Sequence, residues 1–173
     1  MAVRKATEAD LEAVVRIYDE IHTEEEEGRA VTGWRRSIYP TRETAAKALE
    51  RGDLFVLEED GAIHGTALIN QIQVDAYEGA PWKNQVRAEK VCVLHTLVIS
   101  PRAAGRGLGT AFVRFYEQYA AERGWHELRM DTNARNRKAR KLYRRLGYEE
   151  IGIVPTTFNG IPDVQLVLLE KTL

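Results

Sequence analysis

Gly105-Arg106-Gly107-Leu108-Gly109-Thr110 is the stretch whose residue types and spacing point most directly to chemistry. Glycines at alternate positions let a backbone turn without Cβ clashes and let an anion approach main-chain N–H groups. A helix that follows such a turn offers its unpaired N–H groups and the positive end of its dipole, so a diphosphate fits there. The pattern is not a Walker loop, since no Lys-Ser or Lys-Thr follows, and it departs from G-x-G-x-x-G because the third glycine comes one residue early. Nucleotide hydrolysis and dinucleotide-dependent hydride transfer are thereby disfavoured. Taken alone, the stretch is equally compatible with a glycine-rich helix entry that holds no ligand.

The flanking elements give the loop its setting. Val91 to Ile99 is apolar almost throughout, as a strand buried on both faces should be, and Pro101 ends it. Phe112, Phe115, Tyr116 and Tyr119 then recur at helical spacing up to Gly124. Trp125 to Asp131 reads as another strand. Ala139, Leu142, Tyr143 and Leu146 set the core face of a last helix, with Gly147 as its cap. Upstream, a strand near Ala2 to Lys5 precedes an amphipathic helix opened by the capping pair Thr7 and Asp10 and carrying Leu11, Val14, Val15, Tyr18 and Ile21. Thr41 caps a second helix that Gly52 stops. Leu54–Leu57 and Ile63–Val74 flank Asp60-Gly61, a hairpin signal, and Ile151–Val154 and Val164–Leu169 supply the last strands.

These elements predict an α/β (α+β) fold around a mixed, mostly antiparallel sheet, with strand order left open. The length of 173 residues predicts one domain spanning 1–173. A formal charge of −1 gives no global pull toward nucleic acid or an anionic membrane. The single cysteine, Cys92, rules out an intramolecular disulfide, and no run approaches the length of a membrane span or a signal sequence, so the expectation is a cytoplasmic protein with neither membrane nor nucleic-acid partner. Nothing in the sequence predicts a metal site. The basic residues Arg135, Arg137, Lys138, Arg140, Lys141, Arg144 and Arg145 read as a solvated helix face, with one or two near phosphates.

Taken in combination, Leu97-Val98-Ile99-Ser100-Pro101, the loop from Gly105 to Gly109, and Asn136-x-x-Ala139-x-x-Leu142-Tyr143-x-x-Leu146-Gly147-Tyr148 resemble the GCN5-related N-acetyltransferase (GNAT) superfamily. The resemblance covers residues 2 to 170 and is strongest from 91 to 148. It implies a sheet splayed between strands 4 and 5, about four flanking helices, and acetyl-CoA as the donor. Leu97, Val98 and Ile99 match the residues whose main chain pairs with the pantetheine arm. Gly105, Arg106, Gly107, Leu108, Gly109 and Thr110 match the pyrophosphate turn, Asn136 a cofactor contact, and Tyr143 the tyrosine beside the thioester sulfur. One position departs: where the family usually has Gln or Arg before the loop, this chain has Ala104, leaving Arg102 or Arg106 to supply charge, or the amides to suffice.

Direct acetyl transfer needs a neutral amine, donors for the developing oxyanion and a proton for the departing thiolate. The main chain of Val98 is expected to face the thioester carbonyl, and Tyr143, as a phenol whose ordinary pKa is about 10, to serve as the acid. Two candidates compete for the base. His95 stands two residues before Leu97, which period-two alternation places on the same face; Asp131 is the alternative, and a water chain with no single base is the third option. Trp34, Tyr39 and Trp82 could line the acceptor pocket, and the run Glu24–Glu27 could draw in a cationic amine. The expected activity is N-acetylation of a primary amine on a small molecule, ahead of a protein N-terminus or lysine. A noncatalytic acyl-CoA-binding regulatory module and a ligand-free interaction domain are the competing readings. Dimers are common among the proteins this chain resembles, so a homodimer fits.

Overall fold

The computed structural model describes residues 1–173. Seven strands, β1 (Ala2–Lys5), β2 (Leu54–Glu59), β3 (Ala62–Asn70), β4 (Val91–Ile99), β5 (Glu127–Asn133), β6 (Glu149–Phe158) and β7 (Ile161–Thr172), form one sheet in the order β1-β2-β3-β4-β5-β7-β6. All neighbours are antiparallel except β4 and β5. Four helices flank them: α1 (Leu11–Glu26), α2 (Arg42–Arg51), α3 (Leu108–Ala121) and α4 (Arg137–Arg145). None is long and apolar enough to cross a membrane. The mixed, mostly antiparallel sheet with four helices is the architecture expected from the sequence.

Alternation along the strands builds a core on each face. Val14, Ile17 and Tyr18 of α1 and Ala45 and Ala48 of α2 pack on Leu54, Val56, Leu68 and Val98. Phe112, Val113 and Tyr116 of α3 and Tyr143 of α4 pack on Phe55, Ala67, Ile69, Cys92, Leu94, Leu128 and Met130 on the opposite face. Local signals end the elements. Thr41 accepts from the Thr44 amide at 3.4 Å to open α2, and Gly52, at φ 73°, closes it. Asp60 and Gly61 turn the β2–β3 hairpin at φ 52° and 75°.

Strand β3 stops at Asn70 rather than continuing to Val74. The Asn70 side chain explains the shortening: its Oδ1 accepts from the Ile72 amide at 2.9 Å, a local turn that competes with the ladder. The final hairpin is longer than expected, because β6 and β7 pair from Glu149↔Glu170 to Phe158↔Ile161.

Two features of β4 shape everything downstream. It pairs with β5 only from Val91↔Glu127 to Leu94↔Met130, after which the strands part; this is the expected splay between strands 4 and 5. At that point β4 also carries a bulge against β3, where Leu68 faces His95 but Thr66 faces Val98, with Thr96 at φ 52°. The extra residue inverts the alternation. His95 bonds Asn70 on the side of α1 and α2, whereas Leu97 and Ile99 pack with α3 and α4. The expectation that His95 and Leu97 share a face is therefore wrong.

Candidate active site

Because β4 and β5 are parallel and each is followed by a helix, the N-termini of α3 and α4 lie at the end where the strands part. In α/β sheets ligands gather at the carboxyl ends of such strands, where helix N-termini point.

The entry to α3 is built as the sequence predicts. Gly105 and Gly107 sit at φ 81° and 77°, and a Cβ on either would meet no protein atom, so the space above them is open. The amides from Gly105 to Thr110 have no acceptor within the protein; Ala111 is the first to bond back, to Gly107 at 3.0 Å. A row of free amides over open space at a helix N-terminus fits a pyrophosphate. Gly109 serves differently, since its Cβ would stand 3.4 Å from Leu142 of α4, so here glycine allows two helices to approach. Arg106 is paired with Glu59, and Arg102 reaches Glu20 at 3.0 Å. Arg145 instead donates to Thr110 Oγ1 at 3.3 Å and has no carboxylate partner, which leaves its charge free beside the loop.

Between the parted strands lies a cavity of about 380 Å³. Leu97, Asn136, Ala139 and Tyr143 line it together with His95, Asp131, Trp34 and Tyr39. Asn136 caps α4, accepting from the Ala139 amide at 3.1 Å. Val98 turns elsewhere: its side chain is buried against α1 and α2. The Ser100 amide donates to His64 at 2.8 Å, and antiparallel alternation then directs the Val98 main chain to β3 and that of Ile99 to the gap. Ile99 thus replaces Val98 as the residue whose amide faces the parted strands.

Tyr143 is 7 % exposed, and its hydroxyl has no hydrogen-bond partner within the protein. Burial, and then the nearby Asp131 carboxylate, push its pKa upward. Asp131 accepts from the Tyr77 hydroxyl at 2.7 Å, yet burial outweighs that bond and raises its pKa to about 6. Burial also lowers His95 to about 4, so its ring is neutral near pH 7. His95 Nε2 is engaged with Asn70 Oδ1 at 3.0 Å.

Trp34 and Tyr39 meet edge to face at 6.0 Å on the acceptor side, with the Tyr39 hydroxyl bonded to Thr96 in the bulge. Trp82 does not join them, contrary to expectation. It is 6 % exposed, does not line the cavity, and is held by its Nε1 bond to Tyr77 at 2.9 Å and by Arg129 over its ring at 4.1 Å. It braces Tyr77, the partner of Asp131. The Glu24–Glu27 run is likewise committed elsewhere: Glu24 pairs with Arg29 and Glu26 with Arg36, while Glu25 accepts from Thr32 and Gly33. Lys47, Arg51 and Asn70 also line the cavity, although no motif marks them in the sequence. The only available signal is the Arg-Gly-Asp spacing at the end of α2, where Gly52 reads simply as a stop.

A direct test of the loop is Gly107→Val. At a positive φ a branched side chain costs about 1–2 kcal/mol and would project into the space above the amides. If the turn holds the pyrophosphate that the sequence resemblance implies, acetyl-CoA binding by calorimetry should weaken at least about tenfold, a loss of about 1.4 kcal/mol. Gly124→Val, at φ 69° beyond the far end of α3, should carry a similar thermal penalty with unchanged binding.

Residues 11–148 match the family model described as "Acetyltransferase (GNAT) family". An uncharacterized N-acetyltransferase of Methanocaldococcus jannaschii is 32% identical over 73 residues, 42% of this chain and 32% of its own length. The uncharacterized N-acetyltransferase YesJ of Bacillus subtilis is 28% identical over 110 residues, 61% of this chain and 57% of its own length. The chain thus spans between about a third and somewhat over half of the curated relatives it matches. Among solved structures, a GNAT-family acetyltransferase from Streptococcus agalactiae superposes with a TM-score of 0.82 at 20% identity, covering 99% of this chain and 95% of that one. A ribosomal-protein-alanine N-acetyltransferase from Brucella melitensis gives 0.73 at 23% identity, with 100% of both chains covered. At those identities the superpositions speak for the fold.

Proposed function

The chain belongs to the GNAT acetyltransferase family, and on that premise we propose that residues 1–173 form one N-acetyltransferase domain that moves an acetyl group directly from acetyl-CoA to a primary amine on a small molecule. The observation that carries this reading is convergence at one end of the sheet: Tyr143 and Asp131 line the cavity where β4 leaves β5, and the free amides of 105–110 open α3 just beyond the same end of β4.

Acetyl-CoA supplies a thioester as the activated donor. The amides at the entry of α3 and the main chain of β4 orient it, with Arg145 beside the loop. Tyr143 is the proton donor for the thiol, since its raised pKa keeps the phenol protonated across the working range. Asp131 is the better base. A pKa of about 6 lies closer to neutral pH than the value of about 4 for His95, and a base works best when its pKa approaches the operating pH. His95 belongs to the wall.

Thiol release from acetyl-CoA, followed against a panel of primary amines, tests the proposal. Saturable, amine-dependent release is the expected result. Tight acetyl-CoA binding with no release across the panel would leave a noncatalytic regulatory module, and no binding at all would leave an interaction domain.

A further inference from the structure

We propose that Arg51, assisted by Lys47, anchors a carboxylate on the acceptor, so that the preferred amines are amino acids; this rests on the N-acetyltransferase reading above. Helix α2 turns Thr44, Lys47 and Arg51 toward the cavity at helical spacing. Arg51 is fixed before any ligand arrives. Its Nε and Nη2 donate to the two oxygens of Asp53 at 2.9 and 3.1 Å, a fork held by a carboxylate that is itself buried. Asp53 is steadied in turn by the Asn70 amide at 2.9 Å, and Asn70 Oδ1 accepts from His95. This chain holds the guanidinium by one edge. Nη1 makes no hydrogen bond within the protein, so the end-on edge is available to a second carboxylate.

Charge decides between amine classes. Lys47, Arg51 and Asp131 are the charged side chains lining the cavity, His95 being neutral near pH 7, and Asp131 is assigned to the proton. A polyamine would find no other carboxylate lining the cavity: Glu24, Glu26 and Glu27 are paired with Arg29 and Arg36, and Glu25, which is not among the lining residues, already accepts from the wall residues Thr32 and Gly33. A carboxylate would find the open edge of Arg51, whose other edge is shared with Asp53, and the Lys47 ammonium. Lys47 reaches Glu43 at 2.7 Å, but both side chains are well exposed, and such a pair is readily exchanged for a less solvated partner.

The test compares kcat/KM for each common amino acid with that for its decarboxylated amine, by thiol release. The wild type should favour the carboxylate-bearing member of the best pair by about tenfold or more, as a charge-assisted Arg–carboxylate bond warrants. Arg51→Gln should bring that ratio close to one, and Arg51→Lys should leave it intermediate. Turnover of amines without a carboxylate preference, or a preference that survives Arg51→Gln, would overturn the anchor and leave the acetyltransferase reading standing. Should no amine release thiol, calorimetry with the same amino acids still decides the anchor. Binding abolished by Arg51→Gln supports it, and no binding to the wild type removes it.

Discussion

Replacing Tyr143 by Phe should lower kcat about a hundredfold or more, while acetyl-CoA affinity stays within about twofold. The substitution is clean because the lost hydroxyl has no partner in the protein and the ring keeps its edge-to-face contact with Tyr148 at 6.2 Å. The thermal midpoint should therefore hold, which separates chemistry from packing. Steady-state kinetics with calorimetry on the same preparation measures both quantities. An unchanged kcat would reduce Tyr143 to a core residue and strip the mechanism of its proton donor.

Asp131→Asn should act in opposite directions on activity and stability. As the proposed base, Asp131 should give kcat/KM a rising limb near pH 6, and Asn should remove that limb and about a hundredfold of rate above it. For stability, the folded pKa is raised from 3.8 to about 6 by burial. Between those values the folded chain binds a proton that the unfolded chain has released, so stability falls as pH rises through the window. Asn escapes that loss and should gain up to about 3 kcal/mol at pH 7, from a shift of about two units at 1.36 kcal/mol each. His95 runs the other way, because its folded pKa is lowered from 6.5 to about 4 and the unfolded chain binds the extra proton between them. The contributions of Asp131 and His95 should therefore largely cancel between about pH 4 and 6, and Asp131→Asn should gain stability over the wild type increasingly as pH rises through that range. Denaturant unfolding from pH 4 to 8 tests this, and a variant less stable than the wild type at pH 7 would contradict the burial argument.

How far the site could be read from sequence depended on whether its signals were local. The glycine turn at the entry of α3 was legible because positive φ at Gly105 and Gly107 demands glycine, and because the capping Asn136 and the helix-face Tyr143 follow at fixed spacing. The bulge at Thr96 was not. A β-branched residue is a poor candidate for φ 52°, and its hydroxyl partner, Tyr39, lies 57 residues away. Without the bulge, alternation placed His95 with Leu97, and nothing in the sequence separated the Val98 amide from that of Ile99 at the gap. Trp82 failed for a related reason: an aromatic residue in an irregular segment carries no local mark distinguishing a pocket wall from a brace under Tyr77. The Arg51–Asp53–Asn70–His95 chain joins three elements and has no linear pattern at all.

The parting of β4 from β5 also bears on solubility. A strand with free main-chain groups is ordinarily a template for other copies of the chain, and proteins blunt such edges with charge, proline or cover. Here the outermost strands follow that practice, with Arg4 and Lys5 on β1 and Pro155 on β6. The edge at Ile99 needs no such guard, since it opens inside the sheet with α1 and α2 on one side and α3 and α4 on the other. A narrow extended molecule can reach its hydrogen-bonding groups, but a strand from another chain, carrying side chains on both faces, would collide with the helices. The same enclosure that makes the gap a cleft for a linear ligand makes it a safe place to leave a strand unpaired.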